Sequence, residues 1–241
     1  MCPQKIDHDG RQRAELLADI STQHGIELPH HVHQGIAWLT VSAEGVNTAA
    51  LSYAALEFRF AIERLAVQYW RVLLNRTLEE RDLRDIGSFK RIENRIYELA
   101  GHQAEIDRHF EFMRIVLGAL KIVVSFHTPK IGELSRHWHN CSELCHVGWP
   151  LASSVPEVRK GAFATLTETS ILLSTLVSSC GWPVFQDTAF AELRARFIAG
   201  QVSCNDVLAY VQRTGIWASA EFPDGRPAQF VGEPVAPSAA E

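Results

Sequence analysis

The chain has no long apolar run and no cysteine framework, and each absence removes a class of protein. Its five cysteines, Cys2, Cys141, Cys145, Cys180 and Cys204, are odd in number and scattered apart from one close pair. A secreted disulfide scaffold would show an even, regularly spaced set. The opening Met-Cys-Pro-Gln-Lys-Ile-Asp-His-Asp lacks the apolar core of a signal peptide, so a cytoplasmic protein is expected. Two stretches test for a membrane span. Residues 115–126 are too few and include Lys121, and residues 162–179 hold Glu168 with many Ser and Thr. Neither supplies the roughly 20 uninterrupted apolar residues that a span requires. Both read as buried helices, and no membrane partner is expected. Charge of one sign is also missing. Lys and Arg number 23 against 28 Asp and Glu, for a net −5. Long-range attraction for nucleic acid is therefore absent, although a local basic patch stays open. No segment alternates with a period of two, and no internal repeat appears. A Gly-rich phosphate loop, a Gly-x-Ser-x-Gly elbow, His-Glu-x-x-His and zinc-finger spacing are all lacking, which weighs against ordinary metabolic enzymes.

What is present is helical signal. At 241 residues, 46% hydrophobic and 21% charged, the chain can bury a core unaided by disulfide or metal. The spacing predicts a short helix over 11–24, ended by Gly25, then a loop through Pro29, His30, His31 and His33. Gly35 to Val41 is compatible with either an extended segment or a helical turn. Asn47 is a good N-cap for a long helix over 48–75. There Leu51, Ala55, Phe58, Ile62, Leu65, Tyr69, Val72 and Leu73 recur at three- and four-residue spacing and form one apolar face. A charged connector over 76–86 follows. Further helices are expected over 88–100 and 103–126. Another, capped by Thr128 with Pro129 in its first turn, runs to His146. Ser154 caps one over 156–179, and two shorter helices cover 188–199 and 204–214. The fold class is all-α, a bundle of about five to seven helices with a small C-terminal hairpin. The expected organisation is an N-terminal helix and loop (1–46), the main bundle (47–180), the hairpin (181–215) and an irregular tail (216–241). Gly181-Trp182-Pro183 marks the boundary before the hairpin.

Reactive side chains concentrate in His137-Trp-His139-Asn140-Cys141-Ser142-Glu143-Leu-Cys145-His146. On a helix, His137, Cys141 and Cys145 fall on one stripe, and His139, Ser142 and His146 on another. Paired ligands at i and i+4 can chelate zinc, so His137, Cys141 and Cys145 form an alternative metal set. Structural zinc needs four ligands from two segments, and only the unplaced His30, His31 and His33 could complete it. Otherwise the thiols are small buried hydrophobes and the imidazoles are partly exposed polar groups. No cofactor is expected.

The stretch from His139-Asn140 to His146 resembles the active-site signature of the HEPN superfamily. Its members are α-helical bundles, many of them metal-independent ribonucleases of prokaryotic defence and toxin systems. That signature is an Arg, often followed by Asn, then four to six residues and a His. Here Asn140 and His146 match, His139 stands where the Arg belongs, and Arg136 lies one turn earlier. The resemblance implies RNA as partner and His146, Asn140, His139 and Arg136 as catalytic candidates. Metal-free cleavage needs a group for the 2′-hydroxyl proton and a cation for the developing phosphate charge. An imidazole, mostly neutral at pH 7, does the second task worse than a guanidinium. The site is accordingly expected to be weakened or altered. A second formal match, Arg95 to His102, has no Asn after its Arg, and Gly101 interrupts it.

On the long helix, Glu57, Arg64 and Arg71 are candidates for a polar groove against the His146 helix, with Arg64 and Arg71 binding substrate. The plain alternative is i,i+3 and i,i+4 charge pairs on a solvated face. Tyr53, Phe58, Phe60, Tyr69 and Trp70 read as core or subunit contacts. Three readings therefore stand together, namely a HEPN-like protein acting on RNA, a helical module that binds a protein partner, and a metal-binding helical protein. Self-association, as a homodimer for example, is expected of the long apolar face.

Overall fold

The computed structural model describes residues 28–74, 89–121, 127–145, 155–178, 188–214, 219–220 and 229–230. Among them are eight helices, α1 (Leu28–Val41), α2 (Thr48–Leu74), α3 (Phe89–Gly101), α4 (Gln103–Ala119), α5 (Ile131–Cys145), α6 (Pro156–Ser178), α7 (Thr188–Ile198) and α8 (Cys204–Thr214). The protein is an all-α helical bundle, as expected. Within the stretch read as an irregular tail, Ser219–Ala220 and Gln229–Phe230 make one short antiparallel pairing. The expected helix over 11–24, the connector over 76–86, the Ser154 cap, the 181–183 boundary and His146 lie outside the described residues.

The stretch read as a loop through His30, His31 and His33 is helical, and so is Gly35 to Val41. Leu28, Val32 and Leu39 repeat at helical spacing and are buried, so the three histidines are carried on a helix that docks on α2 rather than on a loop. Gly35 lies against the Phe58 ring, closer than a side chain would allow. That contact lets the two backbones approach. Between α1 and α2, Ala43, Glu44 and Gly45 all take positive φ. A Cβ on Gly45 would stand 2.8 Å from the Arg159 carbonyl oxygen, so glycine is required there. Asn47 caps α2 as its type predicts, its Oδ1 accepting from Ala50 N at 3.2 Å.

Helix α2 is the axis. Leu51, Ala55, Phe58, Ile62, Leu65 and Tyr69 are all buried, and α1, α3, α5 and α6 pack around them. A second core lies apart from the first. Phe112, Met113, Val116, Leu117 and Leu120 join Phe190, Leu193, Phe197, Val207 and Val211 of α7 and α8. Ile106 and Phe110, earlier on α4, belong to the first core. Helix α4 therefore serves both, and the hairpin attaches through it. Its contacts are specific. Arg108 stacks on the Phe197 ring at 4.3 Å and donates to its carbonyl at 2.9 Å, and Arg194 Nε donates to His109 Nδ1 at 2.8 Å.

The helix carrying the reactive cluster begins at Ile131, later than Thr128 and Pro129 predict. Thr128 bonds Arg114 instead of capping. Gln103 at the start of α4 takes the capping role, its Oε1 accepting from Ile131 N at 2.8 Å. On α6, the hydroxyls of Thr165, Thr167, Thr169 and Thr175 each donate to the carbonyl four residues back. This back-bonding satisfies the many hydroxyls inside the helix. The stretch 162–179, read as a buried helix, buries Ala162, Leu166, Thr169, Leu173, Leu176 and Val177 on α6, while Ile171 is exposed. Among the described residues no helix is long and apolar enough to cross a membrane.

Candidate functional site

Helix α5 packs on α2, α3 and α6, and its two sides differ in kind. The inner side carries Ile131, Leu134, His137, Trp138, Cys141 and Leu144, all buried. The outer side carries exposed Glu133, Arg136, His139 and Glu143, with Asn140 half-buried between the two. The 3.6-residue period alone makes this division.

The inner side meets a polar seam that the sequence did not announce. Arg59 of α2 donates from Nε to Glu63 Oε1 at 2.9 Å, one helical turn on. Trp138 Nε1 donates to the same carboxylate oxygen at 3.1 Å, and the Arg59 guanidinium faces the Trp138 ring at 5.5 Å. Arg59 also hydrogen-bonds the Cys145 thiol. A buried charge without such partners would cost several kcal/mol. The signal was faint but present. Arg59 and Glu63 follow Ala55 at four-residue steps, at the edge of the apolar stripe.

His137 is 2% exposed. Its Nδ1 lies 2.7 Å from the Thr169 hydroxyl of α6, and its Nε2 lies 3.3 Å from an Arg136 Nη. Burial, and next the Arg136 guanidinium, hold it below the usual imidazole range, while Glu133 and Glu168 pull the other way. Burial keeps the Cys141 thiol protonated, although a Thr169 hydrogen bond opposes that effect. The half-buried Cys145 thiol is pushed up to about 11, chiefly by burial. Neither is a ready thiolate. His137, Cys141 and Cys145 share a stripe as expected, yet each already has a hydrogen-bond partner on α2, α5 or α6. Among the described residues no three His, Cys, Asp or Glu side chains converge as metal ligands.

The outer side is open. Arg136 pairs loosely with Glu133 at 3.8 Å, and His139 meets Glu143 at 3.3 Å. Ser142 is buried while His139 is exposed, so the stripe expected to run from His139 through Ser142 to His146 is not one continuous surface. His146 follows Cys145 directly in the chain but is outside the described residues. In the second formal match, His102 pairs with Glu105 at 3.0 Å beside Trp70, and the Arg95 side chain is outside the described set.

The groove expected from Glu57, Arg64 and Arg71 takes another form. Glu57 turns to α1, where its Oε2 lies 2.7 Å from His31 Nδ1, so α1 takes up a carboxylate placed against the His146 helix. Arg64 is half-buried, and burial lowers its affinity for its proton. The Arg71 side chain is outside the described residues. Facing α5 are Arg59 and Glu63 instead, and Ser52, whose hydroxyl donates to the Leu144 carbonyl at 3.4 Å. Of the aromatics expected as core or subunit contacts, Phe58 and Tyr69 are buried, Trp70 is half-buried, and Tyr53 and Phe60 are exposed. Comparison with family models, with curated proteins and with solved structures returned no match.

Proposed function

We propose that the protein is a HEPN-like helical protein that engages single-stranded RNA along the outer face of α5 and turns it over slowly without metal. The observation that carries this reading is the exposure of Arg136 and His139, one turn apart on that face, in the chain segment that ends in His146. The inner side of the same helix is committed to packing, so only the outer side has groups available to a ligand.

In the reaction, His146 takes the 2′-hydroxyl proton, the 2′-oxygen attacks phosphorus, and the bond to the 5′-oxygen breaks. A 2′,3′-cyclic phosphate and a 5′-hydroxyl result, the leaving oxygen taking up a proton. Arg136 is the always-charged group suited to the phosphate, and Asn140 and His139 are polar neighbours. Two carboxylates, Glu133 and Glu143, stand beside these groups and offset their attraction for phosphate. That balance is the physical reason for weak turnover.

The test is cleavage and binding of mixed RNA with chelator present, for the wild type beside His146→Ala and Arg136→Ala. Chelator-resistant cleavage lost in His146→Ala, with binding weakened in Arg136→Ala, is the expected outcome. Neither cleavage nor binding above the variants would sink the reading.

A second reading, association with another protein, has its own observation. Val41, Val46, Tyr53 and Val155 are exposed near the α1–α2 turn and the start of α6, with Trp38 against Tyr53 at 4.9 Å. A second copy is the simplest occupant for such an apolar end. Sedimentation of the wild type beside Val46→Lys/Tyr53→Lys tests it, and a monomer in both would reject self-association.

A further inference from the structure

We infer that His137 is a positioning residue, held by Thr169 from behind so that its Nε2 accepts from Arg136 and aims that guanidinium along the outer face of α5. The inference rests on the reading that this face engages RNA, and it gives a buried histidine, first considered as a metal ligand, a part in that site.

The Arg136 guanidinium sets the tautomer, because it has donors only. One of its Nη atoms stands 3.3 Å from His137 Nε2, so Nε2 is the unprotonated acceptor and Nδ1 carries the ring proton. The Thr169 hydroxyl, 2.7 Å from Nδ1, then accepts from the ring, and its own proton has the Thr165 carbonyl at 2.9 Å and the Cys141 thiol as acceptors. His137 is buried on the inner side of α5, as are Leu134, Trp138 and Cys141. Arg136 itself is long and largely exposed. Without a fixed acceptor it would sample many rotamers, and ordering it on a phosphate would carry that entropy.

Charged groups facing the imidazole are Arg136 and Glu133 on α5 and Glu168 on α6. Protonation at Nε2 would turn the acceptor into a donor and release Arg136. RNA binding through this device is therefore lost on acidification, in contrast to simple phosphate binding by lysine or arginine.

The experiment has two arms. Long-range proton–nitrogen NMR of the full chain reads the His137 tautomer directly, in the wild type and in Arg136→Ala and Thr169→Val. The expected result is an Nδ1–H ring whose Nε2 resonance moves in Arg136→Ala, and mixed tautomers in Thr169→Val. An Nε2–H ring, or an Nε2 resonance indifferent to Arg136, overturns the inference whether or not RNA binds. The second arm measures affinity for a labelled single-stranded oligoribonucleotide in His137→Asn and His137→Gln. Asn can replace Nδ1 and its bond to Thr169 but not the acceptor for Arg136, whereas Gln can supply that acceptor. Asn should lose roughly three- to tenfold, like Arg136→Ala, as expected for one phosphate contact, and Gln should recover most of it. Equal losses in Asn and Gln reduce His137 to a structural role and overturn the proposal. Absence of RNA binding in every protein refutes the function, and the NMR arm then decides the geometry alone.

Discussion

Acid should loosen the α7–α8 hairpin before the rest of the bundle, with His109 as the cause. Its ring is 1% exposed and accepts from Arg194, itself 3% exposed. Burial first, and the Arg194 guanidinium second, push its pKa from 6.5 down to about 3, and burial brings Arg194 down to about 10. The folded chain thus keeps His109 neutral, whereas the unfolded chain protonates it near 6.5. Above that pH the two states bind the same number of protons and stability is unaffected. As pH falls below it, the unfolded state alone takes up the proton, and stability drops until the folded pKa is reached. At pH 4.5, two pH units into the window, the loss is about 3 kcal/mol, or roughly a hundredfold in the opening equilibrium. That is a large part of a typical domain stability of about 5–15 kcal/mol. The assay is native-state hydrogen exchange of amides in α4, α7 and α8 from pH 7 to 4.5, corrected for intrinsic rates. His109→Asn is the comparison, since its carbonyl can stand where Nδ1 stands and does not titrate. Carboxylates common to both proteins cancel in the difference. Wild-type protection should fall more steeply than that of the variant by about one proton per molecule. Parallel profiles would refute the reasoning.

Gly35→Ala places a methyl inside the space of the buried Phe58 ring. A loss of about 2 kcal/mol and a Tm lower by about 5 °C are expected in thermal unfolding, despite the better helix propensity of alanine. Glu63→Ala removes the carboxylate shared by Arg59 and Trp138 and should cost roughly 3 kcal/mol in urea denaturation. Arg59→Met with Glu63→Leu should recover much of that, because an apolar pair replaces a buried ion pair cheaply; a double variant as unstable as the sum of the singles would contradict it. With a thiol reagent followed by peptide mapping, among the described cysteines exposed Cys204 should label first, Cys145 slowly, and buried Cys141 only on unfolding. Glu143→Gln, which removes a carboxylate 3.3 Å from His139, should strengthen RNA binding about twofold at low salt and much less at high salt.

Among the described helices, the sequence by itself determined all but α1, part of which read as a loop, and it marked the buried face of α2. Apolar residues at three- and four-residue spacing act locally, and so does the Asn47 cap, which the structure reproduces. The division of α5 into a packed side and an open side also follows from spacing alone. Only the tertiary structure decided which polar residues cross from one helix to another. Glu57 meets His31 on a segment read as loop, Gln103 caps a helix whose expected cap was Thr128, and Arg59 with Glu63 faces α5. These partners lie 26 to 75 positions apart in the chain. Periodicity reports which side of a helix faces inward, but not which neighbour it meets there. The two cores sharing α4 have the same origin. One helix carries apolar residues along its length, and only packing determines that the earlier ones join one core and the later ones the other.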